Sequence, residues 1–202
     1  MQSYDPYELM MVPPGKKAEM IINEILKEDK ANLNLVRDLI VLGANLDWQN
    51  NYGETALHEC AFSNHPEILR VLIDAGVDLN VKDEHGRTAL HWCPIMNHPE
   101  IARILIDAGT DVNAKEKDEW SLLHYSAKFH SGICKMLIDA GADLNIQRYD
   151  GWTALHICAF SDTLEVAKML IEAGADKTIQ DYYGFIPYEL AQTKKLEDLL
   201  KV

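Results

Sequence analysis

Residues 83–96, "DEHGRTALHWCPIM", contain a short segment that recurs along the chain. Its central "TALH" ends at His91, and related tetrapeptides end at His58 ("TALH"), His124 ("SLLH") and His156 ("TALH"). These histidines are 33, 33 and 32 residues apart. Self-similarity at such a period predicts a repeat architecture in which each copy is one structural unit.

A series of glycines has the same period. Its members are 33, 33, 32 and 33 residues apart: Gly43, Gly76, Gly109, Gly141 and Gly174. Read together, the two series place one missing residue between His124 and Gly141.

The residues between these markers predict two short helices in each unit. Pro66 and Pro99, in the repeated "NHPEI", suit the first turn of a second helix, where the missing N–H of proline costs nothing. The glycine of "DAG" suits the left-handed residue that ends a helix. Apolar residues recur between them at helical spacing: Ile68, Leu69, Leu72 and Ile73. A single hairpin of this kind cannot cover its own apolar side, whereas stacked copies can.

Each unit reads D-x-x-G-x-T-A-L-H, then two apolar stretches, "LIDAG" and a closing "VDLN", "TDVN" or "ADLN". This pattern resembles the ankyrin repeat. The resemblance implies an all-α fold, a solenoid of stacked helix-turn-helix units with β-hairpin-like connecting loops. It divides the chain into an N-terminal tail, 1–15, and one domain, 16–202. The domain has six units: an N-terminal cap, 16–49, four internal repeats, 50–82, 83–115, 116–147 and 148–180, and a C-terminal cap, 181–202.

Both ends of the domain have the pattern of capping units. In "KKAEMIINEILKEDK", from Lys16, the expected inward residues are Ile21, Ile22, Ile25 and Leu26. The expected outward residues are Glu19, Asn23, Glu24 and Lys27. The terminal "KKLEDLLKV" offers Leu196, Leu199 and Leu200 for packing. The tail is predicted to dock on the first helices or on a neighbouring molecule through Tyr7, Leu9, Met10 and Met11.

Composition limits the classes of function. The chain has 202 residues, 48% of them hydrophobic and 25% charged, which is typical of a soluble folded protein. Four cysteines and no secretory signal pattern indicate an intracellular protein, cytoplasmic by default with the nucleus left open. The formal charge of −13 argues against nucleic acid, and no apolar stretch is long enough to cross a membrane. We therefore expect a protein partner of unknown identity, and a monomer.

The pair His91 and Cys93 has counterparts in other units and could suggest a metal or thiol site. On a helix, side chains at positions i and i+2, such as this histidine and cysteine, point to opposite faces. The equivalent pairs in neighbouring units lie too far apart to bind one ion together. The favoured interpretation is a buried cysteine and a histidine that bonds across the turn starting at Thr55, Thr88 or Thr153. We expect no metal, no cofactor and no catalytic residue.

Functional residues are therefore sought among the positions that are not part of the repeated pattern. By resemblance to ankyrin stacks, the hairpin tips and the exposed ends of the first helices line a concave surface for a partner. The predicted partner-binding residues are Tyr52, Glu54, Phe62, His85, Arg87, Ile95, Met96, Trp120, Phe129, Tyr149, Trp152, Phe160, Tyr182, Tyr183 and Phe185. Phe62 and Phe160 could instead pack under the next hairpin. Trp92 is predicted to lie in the core, and Trp48 is left open.

Two further features leave alternatives open. Paired acids recur around each "DAG" turn: Asp74 and Asp78, Asp107 and Asp111, Asp139 and Asp143, Glu172 and Asp176. By resemblance to the ankyrin corner, the second acid of each pair is expected to be structural, and the first acids form either a solvated face or a ledge for a basic partner. The alternative function is a structural or assembly protein that self-associates through this ledge or the tail. In the fourth unit Glu119 replaces the turn glycine and a residue is missing near His130. The turn is expected to take another shape there, or the change is neutral.

Overall fold

The computed structural model describes residues 6–27, 31–129 and 132–202. Within these residues, one 3₁₀ helix, Pro187–Leu190, precedes the last of the α-helices. The α-helices are α1 Pro6–Met10, α2 Pro14–Ile25, α3 Leu33–Val41, α4 Ala56–Ser63, α5 Pro66–Asp74, α6 Ala89–Met96, α7 Pro99–Asp107, α8 Leu122–Phe129, α9 Ile133–Asp139, α10 Ala154–Ser161, α11 Leu164–Glu172 and α12 Lys194–Leu200. The residue predicted to be missing near His130 lies outside the described residues.

The helices form two layers. The first helices of successive units, α2, α4, α6, α8 and α10, pack side by side, and the second helices, α3, α5, α7, α9 and α11, form the layer behind them. One apolar core runs between the layers from Leu9 to Leu200. The predicted all-α ankyrin-type solenoid is confirmed.

The recurring tetrapeptide forms the start of each first helix. In the second unit, the backbone N–H of Thr55 donates to Nδ1 of His58 at 3.1 Å, and the Thr55 hydroxyl lies 2.9 Å from the same nitrogen. Equivalent pairs form at Thr88, Ser121 and Thr153. Because Nδ1 accepts this hydrogen bond, the proton of each neutral ring is on Nε2. Each histidine thereby pairs a backbone N–H at the helix start that would otherwise lack an acceptor.

The other predicted helix signals also hold. Pro66 and Pro99 are the first residues of α5 and α7. The "DAG" glycines have positive φ, for example +85° at Gly76. The loops between units are hairpin-like: in the third unit the Asp83 N–H donates to the Arg87 carbonyl at 2.9 Å.

The N-terminal cap differs from the prediction at two residues. Ile21, Ile22 and Ile25 are buried as expected, but Leu26 is 54% exposed and Glu24 is buried. Helix α2 ends at Ile25, so Leu26 does not continue its apolar face. Glu24 instead accepts the backbone N–H of Asn32 at 2.9 Å and pairs with Lys27.

The tail and the C-terminal cap follow the predictions in part. Leu9 is buried against the core, whereas Tyr7, Met10 and Met11 keep most of their surface exposed, so their predicted docking on the first helices is wrong. Leu9 points inward from the short helix α1, which ends before the prolines at the start of α2. At the other end Leu196 and Leu200 of α12 are fully buried, and Leu199 is half-buried.

Candidate functional site

In four of the units, a polar side chain at the start of the tip fixes the shape of that tip. Oδ1 of Asp83 accepts the backbone N–H groups of His85, at 2.8 Å, and Arg87, at 2.9 Å. Asn50, Glu116 and Asp181 hold their own tips in the same way. The last residue of the tip therefore lies at the same place in these four units, and in the fifth unit Oδ1 of Asp150 accepts the N–H of Trp152 at 3.1 Å.

Because the units are stacked in register, residues at equivalent positions form rows across the stack. We call the tips and the exposed faces of the first helices the concave surface. Four rows cross it. They are Glu54–Arg87–Trp120–Trp152–Phe185, Glu59–Trp92–Tyr125–Ile157, Phe62–Ile95–Lys128–Phe160, and Ser63–Met96–Phe129–Ser161.

The aromatic rings of these rows contact one another. The ring centroids are 5.2 Å apart for Phe62 and Trp92, and 5.4 Å apart for Trp152 and Phe160. Phe62 and Phe160 remain 44% and 58% exposed, so the alternative in which they pack under the next hairpin is wrong. Trp92 was predicted to be core but is half-buried on the concave surface, because it precedes Cys93, the residue of α6 that points inward.

A second group of rings lies at the middle of the surface. Tyr125 is 5.2 Å from Trp120 and stacks on Phe129 at 6.2 Å. Phe129 is 42% exposed. Tyr125 is buried enough to raise the pKa of its phenol to about 12. The sequence interpretation missed Tyr125 and Glu59, although both occupy the register position of Trp92.

Cations hold several of these rings in place. The Arg87 guanidinium lies 4.2 Å from the Trp92 ring centroid and pairs with Asp83 at 2.8 Å. That guanidinium and backbone N–H groups outweigh the effect of burial and keep the pKa of the Asp83 carboxyl below its ordinary value.

Arg148 is the second such cation. It lies between two tryptophans, 4.6 Å from the Trp120 ring and 4.8 Å from the Trp152 ring, and pairs with Asp150 at 2.5 Å. Its largely buried charge and the two rings form one rigid cluster. Lys128 also lies over Trp120, with its Nζ 5.0 Å from the ring centroid.

The remaining predicted residues lie along the tips or the edge of the surface. Exposed ones are Tyr52, His85, Met96, Tyr149, Tyr182, Tyr183 and Phe185, and half-buried ones are Glu54 and Ile95. Trp48 packs against the backbone of Gly15 and belongs to the N-terminal cap. Of the predicted residues, Trp152 and Phe160 contact each other within one unit, and Trp120 and Trp152 of neighbouring units are joined through Arg148.

The tip of the fourth unit, residues 116–120, keeps the common turn although Glu119 replaces glycine there. Glu119 adopts φ +61° and its N–H donates to the Glu116 carbonyl at 3.0 Å, so the expected change of turn shape is wrong. The link to the next tip is what differs. Glu84, Lys117 and Tyr182 each donate a backbone N–H to the preceding tip, but within the described tips no such bond joins Tyr149 to Asp118.

The repeats match a family of known proteins. A family model described as ankyrin repeats (3 copies) matches residues 27–116 and 110–181. The chain belongs to the ankyrin repeat family. Among solved structures, this ankyrin chain is similar to the crystal structure of the ankyrin repeat domain of Bcl-3, which is described as a unique member of the IkappaB protein family. The TM-score is 0.83 and the sequence identity 28%, and the match covers 89% of this chain and 81% of that chain. The comparison with curated proteins gave no match.

The ankyrin histidines also connect neighbouring repeats. Nε2 of His58 donates to the Arg87 carbonyl at 2.9 Å, Nε2 of His124 to the Trp152 carbonyl at 2.8 Å, and Nε2 of His156 to the Phe185 carbonyl at 3.1 Å. The predicted bond across the Thr turn is confirmed, and these three rings make this additional contact to the next tip, whereas Nε2 of His91 is buried without a hydrogen-bond partner among the described residues.

The cysteines of the ankyrin repeats are core residues. All four are buried, and burial raises the pKa of the Cys134 thiol to about 11 and that of the Cys158 thiol to about 12. Over the described ranges, no three side chains of metal-ligating type come together. No helix in the described part of the chain is long and apolar enough to span a bilayer.

The paired acids of the ankyrin "DAG" corners have two different roles. The backbone N–H of Asp111 donates to Asn80, and the Asp111 carboxylate accepts the N–H of Asn113. Asp78, Asp143 and Asp176 make the same contacts in their units, as predicted for structural residues. The first acid of each pair is exposed.

Proposed function

We propose that this protein is a noncatalytic binding module that holds a partner protein on its concave surface. Ankyrin repeats are generally protein–protein interaction modules and typically lack catalytic activity. The observation that carries the proposal is that ring contacts occur in four successive repeats and still leave Phe62, Phe129 and Phe160 exposed.

Such a surface is suited to binding. Large rings bury much apolar area at little cost in side-chain entropy, and rings already fixed by their neighbours lose less freedom when a partner arrives. The likeness to the Bcl-3 domain supports the fold of this module, but 616 solved chains match, so the likeness does not select a partner.

Two substitutions of exposed rings test the surface. Phe129→Ala with Phe160→Ala is expected to lower capture of partners from the source cell on the order of tenfold or more, because truncated interface anchors commonly cost ~2 kcal/mol or more. Capture is measured by pull-down with quantitative mass spectrometry. We prefer these residues to Trp120 and Trp152, whose removal would also expose the Arg148 guanidinium between them.

The control is Val41→Ala with Met11→Ala, which removes exposed apolar surface outside the concave surface. Circular dichroism and thermal unfolding should show that both double variants keep the fold. Equal capture by wild-type protein and the phenylalanine variant would rule out the proposed surface.

A further inference from the structure

The concave surface changes in chemistry along the stack. In the second unit its rows hold two carboxylates, Glu54 and Glu59, whereas in the fourth and fifth units they hold Trp120, Trp152 and Phe160. We call these the acidic end and the aromatic end. Lys128 lies over the rings of the aromatic end, so the sign of the exposed charge differs between the two ends.

The two carboxylates of the acidic end repel each other. Burial, and secondarily the charge of Glu54, raise the pKa of the Glu59 carboxyl above its ordinary value. Glu54 accepts a hydrogen bond from the neutral amide of Asn50 at 3.0 Å. Within the part of the chain that the structure describes, no lysine or arginine forms an ion pair with either carboxylate.

The cation in the adjacent unit is already engaged. Arg87 follows Glu54 in its row, but its guanidinium pairs with Asp83 and stacks on Trp92. The negative charge at the acidic end is therefore left for a group from outside the chain. Phe62 lies one helical turn from Glu59 on α4, so the aliphatic stem of a long cationic side chain would find a ring beside the carboxylates.

We propose that the partner segment places a lysine or arginine at Glu54 and Glu59 and an aromatic or large aliphatic side chain at the aromatic end. This inference rests on the proposed function and names the chemistry of the partner. The fourth and fifth units are two and three helix-to-helix steps from the second, roughly 16 to 30 Å at about 8 to 10 Å per step. An extended segment rises about 3.3 Å per residue, so the two anchors lie about five to nine residues apart.

The probe is a library of random 12-residue peptides displayed on phage and selected on the full chain. Peptides selected on the wild-type protein should carry a basic residue about five to nine positions from an apolar anchor. Selection on Glu54→Gln with Glu59→Gln should lose the basic preference and keep the apolar one. For a selected peptide, synthesised with a fluorophore, the same variant should raise the Kd about tenfold and weaken its salt dependence, as measured by fluorescence anisotropy.

The matched control is Asp74→Asn with Asp107→Asn, which removes two exposed charges from the C-terminal ends of α5 and α7, in the layer behind the concave surface, and should leave the Kd unchanged. Peptides without basic enrichment, or an equal Kd for the wild-type protein and the glutamine variant, would overturn this inference. The proposed function would still stand if Phe129→Ala with Phe160→Ala abolishes peptide binding. If no selected peptide depends on those two rings, the proposed function itself fails.

Discussion

At the scale of single residues, a buried histidine bonds across the start of each first helix that begins with the tetrapeptide. His91 and His124 are fully buried, and burial lowers the pKa of each imidazole to about 4. Both are neutral in the folded protein near neutral pH, which leaves Nδ1 free to accept from Thr88 or Ser121. Protonation would remove that acceptor and bury a charge.

This burial predicts that acid destabilises the fold. The unfolded chain has an ordinary histidine pKa near 6.5 and binds protons first, so stability is complete above about pH 6.5 and is lost as the pH falls towards 4. Between pH 7 and pH 5, each of these residues should remove about 2 kcal/mol from the free energy of unfolding. His91→Gln retains an acceptor for the Thr88 N–H and should reduce the loss by that amount, as measured by urea unfolding at several pH values.

The control is His85→Gln, which changes an exposed histidine on a tip and should leave the pH dependence as in the wild-type protein. A pH dependence in His91→Gln as steep as in the wild-type protein would show that burial of this imidazole is not the cause.

At the scale of one element, the tip of the fourth unit has a side chain at Glu119 where the other tips have glycine, and within the described residues it lacks the backbone hydrogen bond to the next tip. A Cβ on Gly86 would meet the backbone nitrogen of Lys117 at 3.0 Å, and one on Gly151 would meet that of Tyr182 at 2.7 Å. Glu119 places a Cβ at the equivalent position, which explains why the bond between its tip and Tyr149 does not form.

Glu119→Gly should therefore stabilise the protein. A left-handed non-glycine residue costs roughly 1 kcal/mol, whereas the exposed ion pair of Glu119 with Lys115, at 3.7 Å, is worth only a few tenths. We expect the free energy of unfolding to rise by about 1 kcal/mol in urea titrations, and hydrogen exchange of the Tyr149 amide to slow. Gly86→Ala, the reverse change, should destabilise. A glycine variant no more stable than wild type would contradict this account.

The same element shows what the sequence can and cannot predict. The period predicted the helices, the proline starts and the left-handed glycines, because these depend on local backbone chemistry. It also predicted that the phenylalanines lie on one surface, since equivalent positions must align in a stack. It did not predict that Trp92 would lie on that surface or that Arg148 would lie between two tryptophans. Those contacts depend on side-chain directions and on the distance between units, and neither can be read from the spacing of residues in the sequence.

At the scale of the whole molecule, the core is continuous but each unit contacts only its neighbours. Stability is therefore a sum of local interfaces, and the units nearest a weak interface open first. Behind α10 and α11 lie only the 3₁₀ helix and the seven-residue helix α12, through which Leu196 and Leu200 are buried. Cys158, in α10, is fully buried behind this interface, and Cys60 lies three units away in α4.

Leu200→Ala should open the molecule from that side. Truncating a buried leucine to alanine lowers the free energy of unfolding by about 2 to 5 kcal/mol, and here it weakens the interface between α12 and the fifth unit. We expect Cys158 to react with a thiol reagent at least tenfold faster, while Cys60 keeps its wild-type rate, as measured by pulsed labelling and peptide mass spectrometry. Leu199→Ala, at a half-buried position, should have a smaller effect. Equal acceleration of both cysteines would mean that the stack opens as one cooperative unit, because a purely local loss could not reach α4 across three intact interfaces.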